Sequence, residues 1–110
     1  MDVQISDQNG VIIAALVGNL DSFSATEVQD IVLEKITTGV KFIFDMSACP
    51  FISSAGLRTL LIIAKRIKLN NASAVMAGLS DEITDVMEMT GFDEMFESYK
   101  TVDEAIKTLL

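Results

Sequence analysis

There is no histidine anywhere in the 110 residues. That removes the Ser-His-Asp and Cys-His constellations and the usual zinc sites, all of which draw on imidazole as base or ligand. The easiest hydrolytic chemistries are therefore excluded, although enzymes as a class are not. Cysteine is nearly as scarce. Cys49 stands alone, so no internal disulfide can form, and one thiol beside Pro50 suits a reducing compartment and a small packed side chain. Bases are outnumbered, eight Lys and Arg against sixteen Asp and Glu, for a formal charge of −8. Such a balance repels polyphosphate surfaces, so no direct contact with nucleic acid or an anionic membrane is expected. No apolar run approaches the ~20 residues of a bilayer span. The first residues, MDVQISDQ, are acidic and polar, unlike a secretory signal, and the expected compartment is the cytoplasm.

What the chain does have is core. Half its residues are hydrophobic, which separates it from disordered sequences, and its length suits one domain spanning residues 1–110. Val3 to Ile5 alternates, Asn9-Gly10 is a strong two-residue turn signal, and Val11 to Val17 is a buried-type apolar run. Together they predict an antiparallel hairpin. Gly18 to Ser22 breaks the second strand, and Ser24-Ala25-Thr26-Glu27 has capping-box spacing ahead of a helix whose apolar face is Val28, Ile31, Val32 and Ile36. Gly39 is the expected stop of that helix. Further on, Ala72 to Ala77 predicts a strand, and Ser80-Asp81-Glu82 opens a helix closed by Gly91 and Phe92. Met95 to Ser98 predicts a short edge strand, and a capping box at Thr101 to Glu104 starts a last helix. Strands alternating with helices imply a mainly parallel sheet covered by helices.

The centre of this pattern is Val40 to Leu61. An apolar strand, Val40 to Phe44, runs into Asp45; a link containing Pro50 follows; then Ser53-Ser54-Ala55-Gly56 leads into an amphipathic helix through Leu57, Leu60, Leu61, Ala64 and Ile67. A helix start leaves N–H groups unpaired and carries partial positive charge. A hydroxyl there can cap the helix or carry a phosphate, and local chemistry does not separate Ser53 from Ser54. Gly56, lacking a side chain, lets another group approach the helix start. In open α/β sheets functional groups gather beyond the carboxyl ends of the strands, which would bring Asp21, Asp45 and Ser54 to one end. Alone, each aspartate reads as a local turn residue. Arg58 opposes the helix dipole and reads as a solvated surface cation or a contact to an acidic partner or a phosphate. Cys49 and Arg58 are spaced too widely for a Cys-x5-Arg phosphatase loop. A phosphoaspartate receiver centred on Asp45 would need an acidic pair after the first strand and a strand-borne lysine near Gly78; Ser6-Asp7 supplies one acid and the lysine is missing. The G-x-S-x-G elbow of serine hydrolases is missing as well.

The run D-M-S-A-C-P-F-I-S-S-A-G-L-R, Asp45 to Arg58, closely resembles the signature of STAS domains of the anti-sigma factor antagonist type. Gly18-Asn19-Leu20-Asp21 with Ser24-Ala25 is similar to that family's G-x-L-D…T/S-A segment, and the order of elements matches along the whole chain. The resemblance implies an α/β STAS fold: one mostly parallel mixed sheet of four to five strands, an N-terminal antiparallel hairpin and four helices. It places the phosphorylated serine on Ser54, with Asp21 as the neighbouring loop aspartate and Asp45 as the strand-end aspartate. Ser53 stands where many members carry aspartate, and it is a competing acceptor. The implied docking surface comprises Asp21, Ser24, Asp45, Ser53, Ala55, Gly56 and Arg58. The implied function is partner switching. The unmodified protein would bind an anti-sigma factor kinase and free a sigma factor, phosphorylation at Ser54 would block that binding, and a phosphoserine phosphatase would reset it. The chain would be substrate and ligand rather than enzyme, with no cofactor or metal of its own. The alternative implied by the same resemblance is a signalling or scaffold module of a stress complex, or a transporter-associated regulator.

Overall fold

In the computed structural model, which describes residues Met1–Leu110, five strands form one sheet in the order β1-β2-β3-β4-β5. β1 (Asp2–Gln8) and β2 (Val11–Val17) form the antiparallel hairpin, with Gln8 opposite Val11. Asn9 and Gly10 both have positive φ, 55° and 83°, as a two-residue primed turn requires. Asp7 braces that turn by accepting the Gly10 N–H at 3.0 Å. From β2 onward the pairing is parallel, through β3 (Lys41–Asp45), β4 (Ser73–Ala77) and the three-residue β5 (Glu97–Tyr99).

Each parallel step advances one strand in the same direction, so right-handed crossovers put their helices on a single face. The core agrees. Val28 and Val32 of α1 (Ala25–Lys35), Leu60 and Ile63 of α2 (Ser54–Leu69), and Ile83 and Met87 of α3 (Asp81–Thr90) share one buried cluster with Ala14, Leu16, Phe42, Phe44 and Met76. The Phe44 ring meets Phe42 at 5.0 Å and Phe96 edge-on at 6.0 Å between centroids. The opposite face belongs to α4 (Val102–Leu109) alone, whose Ala105 and Ile106 cover Val11, Ile13, Ile43, Val75 and Ala77. β2 and β3 are thus buried on both sides, which is why they read as continuous apolar runs rather than alternating ones.

Two expectations about α1 are corrected. Its start is not a Ser24–Glu27 box, because Ser24 makes no side-chain cap to the helix and its backbone is already near-helical at φ −106°, ψ −17°. The reciprocal arrangement sits three residues earlier. Asp21 Oδ1 accepts the N–H groups of Phe23 (3.0 Å) and Ser24 (3.3 Å), while Ser24 Oγ accepts the Asp21 N–H (3.0 Å) and donates to the Asn19 carbonyl (2.8 Å). The pattern is a capping box with its acid and its hydroxyl exchanged. Nor does Gly39 end the helix. α1 stops at Lys35, where Ile36 turns extended ahead of the β-branched Thr37-Thr38, and Gly39 serves the next turn with its N–H on the Asn70 carbonyl at 2.9 Å. The last strand also begins later than Met95, because Phe92–Glu94 winds into a 3₁₀ turn first. The caps at Ser80 and Thr101 and the left-handed Gly91 (φ 79°) stand as the sequence predicts.

Cys49 is buried in the main cluster and donates weakly to the Phe51 carbonyl, at 3.6 Å. Burial pushes its thiol pKa up, opposed by backbone hydrogen bonds at Leu20 and Phe51. A raised pKa leaves less thiolate at neutral pH, and burial blocks access to what remains. A thiol reagent at pH 7.5 should therefore label the native chain more slowly than the urea-unfolded chain, by on the order of 100-fold. Equal rates would show that the loop around Cys49 is open.

Candidate functional site

Beyond the ends of β2 and β3 the backbone keeps pairing. Gly18 N–H donates to Ala48 O at 3.0 Å, Leu20 N–H to Phe51 O at 2.9 Å, and Ser53 N–H to Leu20 O at 2.9 Å. Leu20 and Ile52 thereby form an isolated parallel bridge, and both side chains are buried. This clasp joins the β2–α1 loop to the link that feeds α2. A Cβ on Gly56 would lie 2.5 Å from Leu20 O, 2.9 Å from Leu20 Cγ and 3.0 Å from Ile52 Cγ2. Only glycine lets the first turn of α2 sit against the clasp.

The two serines occupy different positions. Ser53 is the N-cap: its backbone is extended (φ −89°, ψ 175°), its Oγ accepts the Gly56 N–H at 3.3 Å, and its carbonyl accepts from Leu57. Ser54 is the first helical residue. It is exposed, and its hydroxyl makes no hydrogen bond within the chain. The capping role that the sequence allowed for Ser54 therefore falls to Ser53, one residue earlier. Ala55 is half-buried and Arg58, four residues after Ser54, is exposed. The first turn of α2 carries no acidic residue, whereas those of α1, α3 and α4 all do.

Asp21, Asp45 and Ser54 do lie at the carboxyl end of the sheet, but not all on one face. Asp21 lies one residue past Leu20, whose carbonyl holds Ser53, so Asp21 and the α2 start are neighbours across the clasp. Asp45 follows Phe44 on β3, and alternation turns it to the opposite face of the sheet. There it borders a shallow groove with Gln4, Val102 and Asp103, and its Oδ1 accepts from Ser47 N–H (3.1 Å) and Ser47 Oγ (2.7 Å). Asp45 thereby braces the turn that opens the link. Ser24 and Gly56 are buried, so they support the outer surface from beneath instead of forming it.

Two side chains that sequence reasoning passed over stand out here. Phe23 is 94% exposed and Phe51 52% exposed. Both lie on the clasped loops, Phe23 among polar turn residues and Phe51 between Pro50 and Ile52, where neither helical nor strand periodicity accounts for them. That mismatch was the available signal.

The STAS domain family model matches residues 2–105. The chain belongs to the STAS domain family. Over its full length it is 28% identical to BtrV of Bordetella bronchiseptica, a protein named among the anti-sigma factor antagonists, and it spans 98% of that relative. Among solved structures it is similar to an anti-sigma-factor antagonist (STAS) domain protein from Planctomyces limnophilus, with a TM-score of 0.89, 19% identity, and coverage of 98% of this chain and 97% of that one. It is similar also to the anti-sigma factor antagonist SpoIIAA of Bacillus. The unphosphorylated form gives a TM-score of 0.75, 16% identity, and 98% and 97% coverage; the phosphorylated form gives 0.73, 16% identity, and 99% and 100% coverage.

In this STAS domain a surface groove of about 700 Å³ lies away from Ser54, between the later turns of α2 and the β4–β5 edge, where Lys65, Lys68, Met95 and Phe96 line it. No helix is long and apolar enough to cross a membrane.

Two stability measurements check this geometry. Gly→Ala inside a helix ordinarily stabilises by up to ~1 kcal/mol, but Gly56→Ala should cost about 2–3 kcal/mol in urea unfolding because the Leu20 carbonyl is backbone and cannot yield cheaply. A neutral or stabilising result would mean the clasp is loose. Ser53→Ala should cost about 1 kcal/mol for the lost cap, while Ser54→Ala should fall within about 0.5 kcal/mol of wild type. Reversal of that order would mean Ser54 holds the helix start.

Proposed function

We propose that this STAS domain is an anti-sigma factor antagonist working by partner switching, with Ser54 as the phosphorylated residue. The observation that carries the reading is the division between the paired serines: Ser53 is committed to the Gly56 N–H, and Ser54 is exposed and uncommitted one position later. A kinase can take the Ser54 hydroxyl without unfolding anything, whereas reaching Ser53 would cost the cap.

In the unmodified state the end bearing Ser54, Asp21 and α2 docks an anti-sigma factor kinase, and the sigma factor held by that kinase is freed. The kinase supplies ATP and Mg²⁺ and transfers a phosphoryl group to Ser54. The chain contributes a nucleophile and a docking surface, not catalysis. The product carries about −1.5 to −2 charges at neutral pH. Burying them in the same interface costs several kcal/mol unless cations await them, so the complex dissociates. The free protein tolerates the dianion because it sits over the unpaired N–H groups of an acid-free first helical turn. The likeness to SpoIIAA in both its phosphorylated and unphosphorylated forms supports a fold that survives modification. A phosphoserine phosphatase returns the chain to its binding state.

The test uses the purified anti-sigma factor kinases of the source cell, one at a time, with Mg-ATP. Wild type and Ser53→Ala should each gain one phosphate, Ser54→Ala none, by intact mass and phosphosite mapping. Affinity for the modifying kinase should fall by at least about two orders of magnitude on phosphorylation, with the circular dichroism spectrum unchanged. Label that persists in Ser54→Ala and disappears in Ser53→Ala would move the acceptor. A scaffold module would bind its partner equally in both states, and that result would end the partner-switch reading.

A further inference from the structure

We infer that Phe23, Phe51 and Arg58 form the recognition surface around Ser54, and that the kinase face they fit is an apolar cleft carrying a carboxylate opposite Arg58. The inference rests on the partner-switch reading and adds to it the chemistry of the partner.

Phenylalanine in this chain otherwise goes inside. Phe42, Phe44 and Phe96 are buried and Phe92 is half-buried, so Phe23 and Phe51 are the two that face water. Neither is on a loose segment. The Phe23 N–H is tied to Asp21 Oδ1 at 3.0 Å and the next residue, Ser24, is buried. The Phe51 carbonyl takes the Leu20 N–H at 2.9 Å and the Cys49 thiol at 3.6 Å. Both rings are therefore carried on fixed backbone, and little ordering entropy is lost when they dock. Rigid aromatics that enter a pocket are the residues that most often dominate an interface.

Arg58 supplies the polar half. Ser54 and Arg58 are four residues apart on α2, which places them on one helical face, and both are exposed while Gly56, Thr59 and Leu60 turn inward. The guanidinium has no ion pair and no side-chain hydrogen bond within the chain, and it sits near the positive end of the helix dipole, where a cation is disfavoured. An unpaired cation at the same end of the domain as two apolar anchors complements an acid set in an apolar cleft. The same pairing sharpens the switch. Phosphate on Ser54 faces the partner's carboxylate, and it also competes from one turn away for the guanidinium that held that carboxylate. A partner with a cation at this point would instead bind the phosphorylated form more tightly.

The experiment measures, by calorimetry, the affinity of the kinase that phosphorylates Ser54 for unmodified wild type, Phe23→Ser, Phe51→Ser, Arg58→Ala and Arg58→Glu. Each change is at an exposed position, so melting temperatures should match wild type. Phe23→Ser should weaken binding by at least about tenfold, and Phe51→Ser by a smaller factor in keeping with its lower exposure. Arg58→Glu should weaken it more than Arg58→Ala, and Arg58→Ala should flatten the salt dependence of binding, a readout that a merely structural role would not move. If the phenylalanine variants bind as wild type while phosphorylation of Ser54 still abolishes binding, the anchors are elsewhere and partner switching stands. Arg58→Glu binding as tightly as wild type would remove the carboxylate from the proposal. If wild type binds none of the kinases, both readings fall. If Phe23→Ser instead converts a dimer to a monomer in sedimentation, the occupant is a second copy of this chain and the kinase assignment is overturned.

Discussion

The contact between Gly56 and the Leu20 carbonyl is the constraint on which the rest of this end of the molecule depends. A parallel sheet ends where its strands diverge into loops, and loops ordinarily add mobility. Here the ladder continues for a few residues as a clasp from Gly18 to Ser53, and α2 starts hard against it. That approach is possible only because position 56 has no Cβ. The consequences run outward. The clasp fixes the backbone of Phe51 and of the Asp21–Ser24 box, and it sets the level at which α2 begins. It also sets which serine closes the helix and which one is left in solvent. A methyl group at position 56 would disturb all of these together, although position 56 itself is buried.

The paired serines show how much a one-residue offset decides. Both have the same side chain, and both lie within a turn of the same helix N-terminus. The N-cap residue is extended and aims its hydroxyl at the orphan N–H groups, while the first helical residue has helical backbone and its side chain cannot reach them in the same way. Ser53 is held and Ser54 is available for reasons of backbone geometry alone. Aspartate at the cap position would serve Gly56 equally well, so serine at 53 changes the chemistry beside Ser54 while leaving the cap in place.

Much of the fold is legible in the sequence. Two-sided burial makes β2 and β3 continuous apolar runs, Asn9-Gly10 names its own turn, and the caps at Ser80 and Thr101 are followed by apolar residues at helical spacing. Where the reading failed, two local signals competed. Ser24-Ala25-Thr26-Glu27 has the commoner spelling of a capping box, but Asp21 and Ser24 make the same reciprocal bonds first, so Glu27 is left on the surface. Gly39 has the positive φ of a helix terminator, 74°, yet the β-branched run before it had already ended α1. Asp45 lies at the end of the sheet where the sequence puts it, but strand-end position says nothing of which way a side chain turns until the register is known. Phe23 and Phe51 were hardest to see. Exposure is a property of the assembled surface, and only the folded chain shows that nothing covers them.

A phosphorylation switch of the kind proposed for this small domain has to separate binding from folding. With a core of this size, total stability is on the order of 5–10 kcal/mol, so a modification that strained the scaffold by even a fraction of that would be read as unfolding rather than as a signal. α2 is held by Leu60, Ile63 and Ile67 in the core, well along the helix from its first turn. A dianion over that first turn is worth about 0.3–1 kcal/mol in favour of the helix, and it touches none of those contacts. In a docked interface the same charge loses its water and is penalised by several kcal/mol. The two effects differ in both sign and size because one is set by solvent-exposed N–H dipoles and the other by desolvation. Under the proposed switch, the exposed first residue of α2 is the place in this chain where the small favourable term and the large unfavourable one would act on the same oxygen.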